Sequence, residues 1–236
     1  MGESMGESRD FSPENTLEDC LGNPEFVSEL SHEECGELLE LARARVVEIF
    51  DPDLKARYKA IIQKILLQHI KAAYGRQKSS INIDDSYTIN SANGPSVMTV
   101  NVCEIKNFSD TVSVGVNPSQ IARNESCGYL CAITDKEQRF WINLKMFILK
   151  QADGSELCLL FIADWYVIPA LRTTGIGTQL QQLAQRIGQE NDCSSIFCFL
   201  VPENPEDLER LIATNQKMGF QVKNIDGAQV AQKFLT

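Results

Sequence analysis

One short turn concentrates the residues able to handle an anion. Arg172, Thr173, Thr174, Gly175, Ile176, Gly177 and Thr178 follow one another. They supply a planar cation, three hydroxyls and two positions without a Cβ. Upstream, Leu157 to Val167 is almost unbroken apolar and aromatic, the pattern of a strand covered on both faces. Pro169 cannot donate a ladder hydrogen bond and sets the strand's end. Downstream, Ile176, Leu180, Leu183, Ala184 and Ile187 recur at helical spacing. The segment therefore reads strand, turn, helix. The first amides of a helix lack intrahelical partners and carry the positive end of its dipole. Amides from Thr173 to Gly177 can form a nest around a phosphate, and a diphosphate fits the length of the turn. A plain chain reversal uses glycines at the same spacing, so both readings stand on spacing alone. The string is neither a Walker loop nor a full dinucleotide fingerprint, since Leu180 stands where the third glycine would be.

Two more groups in that strand can move protons. Asp164 is a carboxylate within the run, and burial would raise its pKa and suit it to act as a base. A structural hydrogen bond would use it equally well. Tyr166, two residues on, is a proton donor on the same strand. Asn204 precedes Pro205, Glu206 and Asp207, a helix-start pattern in which Asn caps. His32 and His69 are too scattered for a zinc cluster, and no Cys-x-x-Cys occurs. No metal site is predicted.

The elements that must hold this turn come from a 236-residue chain, 43% hydrophobic and 23% charged, with formal net charge −10. That suffices for a full core in one domain with an extension. The acidic balance argues against nucleic acid or an anionic membrane as partner. No run is apolar and long enough to span a bilayer, none follows a signal-peptide start, and free thiols fit a cytoplasmic protein. Residues 1–30 are polar and acidic and read as a flexible arm. Over 31–76, Ser31 with Glu34 forms a capping box. Two amphipathic helices follow, broken at Asp51-Pro52-Asp53 and stopped at Gly75. This helical hairpin offers a surface for a protein partner or a second copy. Residues 77–95 read as a linker with at most a weak strand near Ser86–Asn90. In 96–236, strands are predicted at Val97–Ile105, Thr111–Val116, Gly128–Thr134 and Phe140–Lys150. A tight turn at Asp153-Gly154-Ser155 leads into the central strand. A strand at Ser195–Val201, a helix ending in Lys217-Met-Gly219-Phe220, and two closing strands at Phe220–Val222 and Gln229–Leu235 complete an α+β pattern.

Val167-x-Pro169, Arg172-x-x-Gly175-x-Gly177 and the following helix together resemble the acetyl-coenzyme A motif of the GNAT superfamily of N-acetyltransferases. The strand at Ser195–Val201 and the Lys217-x-Gly219-Phe220 ending extend the likeness over Leu157 to Val222. The resemblance implies a GNAT-like fold: a mixed, mostly antiparallel sheet with a splayed parallel strand pair, here with an N-terminal helical hairpin added. It implies acetyl-CoA or another acyl-CoA between the splayed strands and direct attack by an amine, small-molecule or protein, on the thioester. Strand backbone near Trp165 and Val167 would meet the pantetheine arm. The diphosphate would lie on amides of Arg172 to Gly177, with Thr178 beside it. Asn204 would be either a contact to the pantetheine or acyl end or simply a cap. The family's usual Glu and Tyr positions hold Ala163 and Asn215. Catalysis would then fall to Asp164, Tyr166 and the Asn215 amide. The same departures are also what a coenzyme-binding protein with a regulatory or protein-interaction role and weak or lost activity would show.

Overall fold

Ser31 opens the first long helix by a reciprocal cap. Its hydroxyl accepts from the Glu34 amide at 3.3 Å, and the Glu34 carboxylate accepts from the Ser31 amide at 2.7 Å. The chain's structure is a computed structural model that describes residues 11–74, 81–106, 127–151, 153–202, 205–225 and 227–235. The chain divides into two units, Met1–Gly75 and Arg76–Thr236.

The first unit is helical: α1 (Pro13–Gly22), a 3₁₀ turn (Pro24–Glu29), α2 (His32–Glu48) and α3 (Pro52–Tyr74). The hairpin of α2 and α3 is as expected from the pattern. Within the expected arm, Pro13–Gly22 and Pro24–Glu29 form helical turns. Pro13 starts α1, where its missing N–H costs nothing. Thr16, Leu17 and Cys20 then fall on one buried face, while the acidic residues that make the segment look disordered stay at the surface. The 3₁₀ turn is held from α3, where Gln68 Nε2 donates to the carbonyls of Ser28 and Leu30 at 3.2 and 3.0 Å. Val47, Phe50 and Leu54 remain exposed around the hairpin's tip. His32 and His69 stack with ring centroids 3.9 Å apart, and His69 Nδ1 lies 3.0 Å from the His32 carbonyl oxygen.

The second unit is built on one eight-stranded sheet, with β1 (Ser86–Ser91), β2 (Gly94–Lys106), β3 (Cys127–Asp135), β4 (Phe140–Lys150), β5 (Glu156–Val167), β6 (Ser195–Phe199), β7 (Gln221–Ile225) and β8 (Ala228–Phe234). The strand order is β1-β2-β3-β4-β5-β6-β8-β7. Every neighbouring pair is antiparallel except β5 and β6. This is the α+β arrangement expected from the sequence, a mixed, mostly antiparallel sheet with one parallel strand pair. The expected linker holds sheet, since β1 and the start of β2 lie within residues 77–95; the alternating burial of β1 (Tyr87 and Ile89 in, neighbours out) is the signature of a half-covered strand. The strand expected at Thr111–Val116 lies outside the described residues. Among those described, no helix is long and apolar enough to cross a membrane.

Helix α4 (Ile176–Glu190) packs Ile176, Leu180, Leu183, Ala184 and Ile187 into the main core with Leu160, Ile162, Ile196 and Cys198 of the parallel pair. Each such side chain contributes on the order of 1.5–3 kcal/mol by leaving water. Helix α5 (Leu208–Lys217) ends as the sequence predicts. Gly219 takes a φ of +84°, and Phe220 turns back into the core.

In the helical unit, Ser31→Ala should lower stability by about 1 kcal/mol in urea melts followed by circular dichroism. Burial, then the neighbouring His32, lowers the His69 pKa below its usual 6.5. The unfolded chain therefore binds a proton first as pH falls. Stability should decline from about pH 6.5 downward, levelling once the folded imidazole is also charged. His69→Gln should flatten that slope in melts across roughly pH 4–8.

Candidate anion and acyl-carrier site

Strand β5 is held on one side by β4 along its length, from Glu156 opposite Lys150 to Val167 opposite Phe140. On the other side β6 pairs with it at only three positions: Leu159 with Ser195, Leu160 with Ile196, and Phe161 with Phe197. The register with β4 slips just beyond, where Asn143 faces Asp164 but Leu144 faces Ile162. Ala163 is the extra residue of a bulge, which bends a strand and raises its local twist. From Ile162 to Val167 the β6-side edge of β5 carries no strand among the described residues. The parallel ladder therefore ends before the stretch where the resemblance implies a splay. Trp165 and Val167 lie on this open stretch, their side chains packed against the main core.

The chain leaves β5 through a 3₁₀ turn at Pro169–Leu171. The Arg172 amide closes that turn on the Pro169 carbonyl at 3.1 Å, so it is not part of the nest and the expected span shortens to Thr173–Gly177. Thr173 holds a φ of +67° and Gly175 one of +87°. Positive φ is ordinary for glycine but a genuine outlier for a β-branched residue. Strain of this kind, on the order of 1–3 kcal/mol, collects at ligand clamps. Among the described residues, no backbone carbonyl accepts from the amides of Thr173, Thr174, Gly175, Ile176 or Gly177, and the first bond into α4 is Gln179 N–H to Gly175 O at 3.1 Å. Thr173, Thr174, Gly175 and Thr178 are exposed at the surface, whereas the Ile176 side chain is fully buried. Ile176 thus offers its amide alone. Thr174 spends its hydroxyl proton on the Leu171 carbonyl at 2.6 Å, which fixes the turn.

Gly177 tests whether a diphosphate fits. Its φ is not in the left-handed region, and a Cβ built on it meets no protein atom within 4 Å. Neither backbone nor packing explains a glycine in the first helical turn, where it costs roughly 1 kcal/mol against Ala. Open space at that Cβ, beside a run of unpaired amides at a helix N-terminus, suits an anion that approaches the backbone closely.

Arg172 is turned another way than expected. Its Nε donates to the Val167 carbonyl at 3.1 Å, and its guanidinium lies 5.5 Å from the centre of the Tyr166 ring. That contact braces the strand end and occupies the Val167 carbonyl. Tyr166 is buried under Arg172 and against Trp141, ring centroids 4.6 Å apart. The Trp141 indole N–H donates to Asp164 Oδ2 at 2.8 Å. Asp164, half-buried, keeps Oδ1 without a hydrogen-bond partner among the described residues. Asn215 is not presented to a cleft. It is fully buried, its Oδ1 accepts from Gln181 Nε2 at 3.0 Å, and its Nδ2 donates to the Leu211 carbonyl at 2.9 Å. It welds α5 to α4, so the sequence expectation of an amide near a leaving sulfur does not fit its place. Asn204 lies outside the described residues.

Sequence reasoning misses two positioning residues. Trp141 orients Asp164 from the adjacent strand, 23 residues away. Gln179, in the first turn of α4, bonds both backbone groups of Asn90 in β1: Oε1 accepts from the Asn90 amide at 3.0 Å and Nε2 donates to its carbonyl at 2.8 Å. Only a long-range pairing reveals either, and spacing carries no sign of it.

No protein-family model matches the chain, and no curated protein does. Solved structures similar to it include acetyltransferases. One is the GNAT domain of PAT from S. lividans, 12% identical, with a TM-score of 0.35, covering 64% of this chain and 97% of that one. Nourseothricin acetyltransferase is 15% identical, with a TM-score of 0.30, covering 66% and 91%. Naa50 of Arabidopsis thaliana, solved with a bisubstrate analogue, is 18% identical, with a TM-score of 0.30, covering 56% and 97%. At these scores the superpositions are loose, and the chemistry of the site is read from the chain's own topology and turn.

Three substitutions separate these roles. Gly175→Ala should cost about 1 kcal/mol in urea because of its positive φ, whereas Gly177→Ala should be neutral or stabilising. Trp141→Phe should cost more than either, roughly 1.5–3 kcal/mol, by removing a donor to a carboxylate.

Proposed function

We propose that this chain binds an acyl-CoA, acetyl-CoA in the simplest case, and passes the acyl group to an amine by direct attack. The observation that carries this reading is the opening of β5 from β6 after Phe161, next to five consecutive amides without backbone partners. The amides of Thr173 to Gly177 would hold the diphosphate, with the exposed Thr178 hydroxyl beside it. The open edge of β5 around Trp165 would hold the pantetheine arm. When bound, the coenzyme supplies a thioester whose carbonyl carbon accepts the amine.

The chain's own contribution is proton handling and positioning. An attacking amine must lose a proton. Asp164 offers Oδ1 for it, directly or through one water, while the Trp141 indole fixes Oδ2 and so the carboxylate's plane. Tyr166 is buried against Trp141 and serves as wall and brace. Asn215 stabilises the α4–α5 contact. The acceptor is an amine of a small molecule or a protein.

A second reading is favoured by those same ties. Of the three groups expected to do chemistry, Tyr166 and Asn215 are buried and Asp164 is half engaged, which suits a protein that binds acyl-CoA without turning it over.

Isothermal titration with coenzyme A and acetyl-CoA decides whether the coenzyme binds, and loss of thioester across an amine panel decides between the two readings. Gly177→Asp places a carboxylate in the nest at a position helices tolerate. Coenzyme A affinity should drop about tenfold or more, one charge-assisted contact's worth, with the fold intact. Undiminished affinity in that variant removes the phosphate assignment. Asp164→Asn should leave affinity unchanged and slow transfer about a hundredfold.

A further inference from the structure

Below the opened end of the parallel pair, at its root, two thiols meet. Cys158 lies near the start of β5 and Cys193 in the turn between α4 and β6. Their sulfurs are 2.8 Å apart, though the residues are 35 positions apart in sequence. Both are free thiols. The backbone around them is fixed from several directions. Ser194 donates to the Cys158 carbonyl twice, from its amide at 2.8 Å and its hydroxyl at 3.0 Å. The Cys193 amide donates to Gly188 O at 2.9 Å, and the Leu235 amide to Ser194 O at 3.0 Å. A disulfide has sulfurs about 2.05 Å apart, so closing this pair needs a movement of less than about 1 Å and no change of register.

We propose that Cys158 and Cys193 are an oxidation site, converted by a hydroperoxide to an intramolecular disulfide that staples β5 to the turn entering β6. The roles of the two thiols differ. Cys158 is partly exposed and Cys193 is buried. The hydrogen bond with Cys193 lowers the Cys158 thiol below its ordinary value, outweighing burial and the nearby Asp192 and Glu156. That same bond, then burial, raises Cys193. Cys158 is thus the sulfur that ionises, on the less buried of the two residues, and Cys193 keeps its proton. By contrast, burial pushes Cys35 and Cys198 up to about 12, which keeps them unreactive.

The steps balance. The Cys158 thiolate attacks one oxygen of the peroxide, the O–O bond breaks, and the other oxygen leaves as an alkoxide or hydroxide that takes up a proton. Cys158 is now a sulfenic acid. The Cys193 sulfur attacks Cys158 Sγ, the S–O bond breaks, and the Cys193 proton leaves with the hydroxyl as water. Two thiols are oxidised by two electrons, and one peroxide is reduced.

The bond closes a loop holding most of β5, the whole amide-rich turn and α4. It stands independently of the acyl-CoA reading, because its readout needs no coenzyme. The full-length protein is treated with hydrogen peroxide, quenched with N-ethylmaleimide, digested and examined by mass spectrometry. The expected product is one crosslinked peptide pair joining Cys158 to Cys193, lighter by two hydrogens than the reduced pair, with Cys35 and Cys198 alkylated. Cys193→Ser should stop at a dimedone-trappable sulfenic acid on Cys158. Cys158→Ser should leave Cys193 unoxidised. An absent crosslink in the folded wild-type protein, or sulfenic acid spread equally over Cys35 and Cys198, overturns the proposal. Should either serine variant fail to fold, the relative alkylation rates of wild-type thiols decide: Cys158 reacting no faster than Cys198 also overturns it.

Discussion

The second unit depends on β5 keeping β4 while losing β6. A parallel ladder of three rungs fixes the two strands side by side at one end, and β5 bulges at Ala163 just beyond it. Had the ladder continued to Val167, each backbone group on that edge would have a protein partner and no ligand could pair with it. The bend also sets where the chain emerges into the turn. Ile168 is tied back to the Arg139 carbonyl at 2.9 Å, Arg172 to the Val167 carbonyl, and Thr174 to the Leu171 carbonyl. The last two engage carbonyls beside the turn, while the amides of Thr173 to Gly177 have no backbone acceptor among the described residues, which is the polarity an anion needs.

Much of this is legible in the sequence because the information is local. A proline at a strand end, two glycines at a helix start and an apolar stripe over Ile176–Ile187 are short-range facts, and they suffice for strand, turn and helix. The Ser31–Glu34 cap and the bounds of Phe140–Lys150 are read for the same reason. What stays hidden is mostly non-local. Nothing near Asp164 announces a tryptophan donor on the next strand, and nothing near Asn215 announces Gln181. Arg172 looks like an anion ligand because its neighbours are Thr and Gly, but its reach is decided by a carbonyl and an aromatic ring on the strand it has just left. The helical turns within 13–29 stay hidden for a different reason. Composition averages over faces, and a helix needs only one apolar stripe.

The buried polar pair between α4 and α5 shows how a fixed helix register and stability compete for the same position. Asn215 and Gln181 are both fully buried. The Gln181 Oε1 atom has no partner among the described residues, so the contact is less than fully satisfied and costs something to keep. A hydrophobic pair would pack there without that cost. The amides instead lock two helices in one register, and with them the distance from the amide-rich turn to the Gly219 corner that ends α5.

Gln179 has a role beyond steadying its helix. By bonding both the N–H and the C=O of Asn90 it behaves as one peptide unit of a ninth strand laid on the free margin of β1. An outermost strand with open backbone groups invites pairing with another chain. One side chain occupies that position, so docking α4 and shielding the sheet from edgewise self-association become a single event. Loosening the first turn of α4 would expose the margin at the same time.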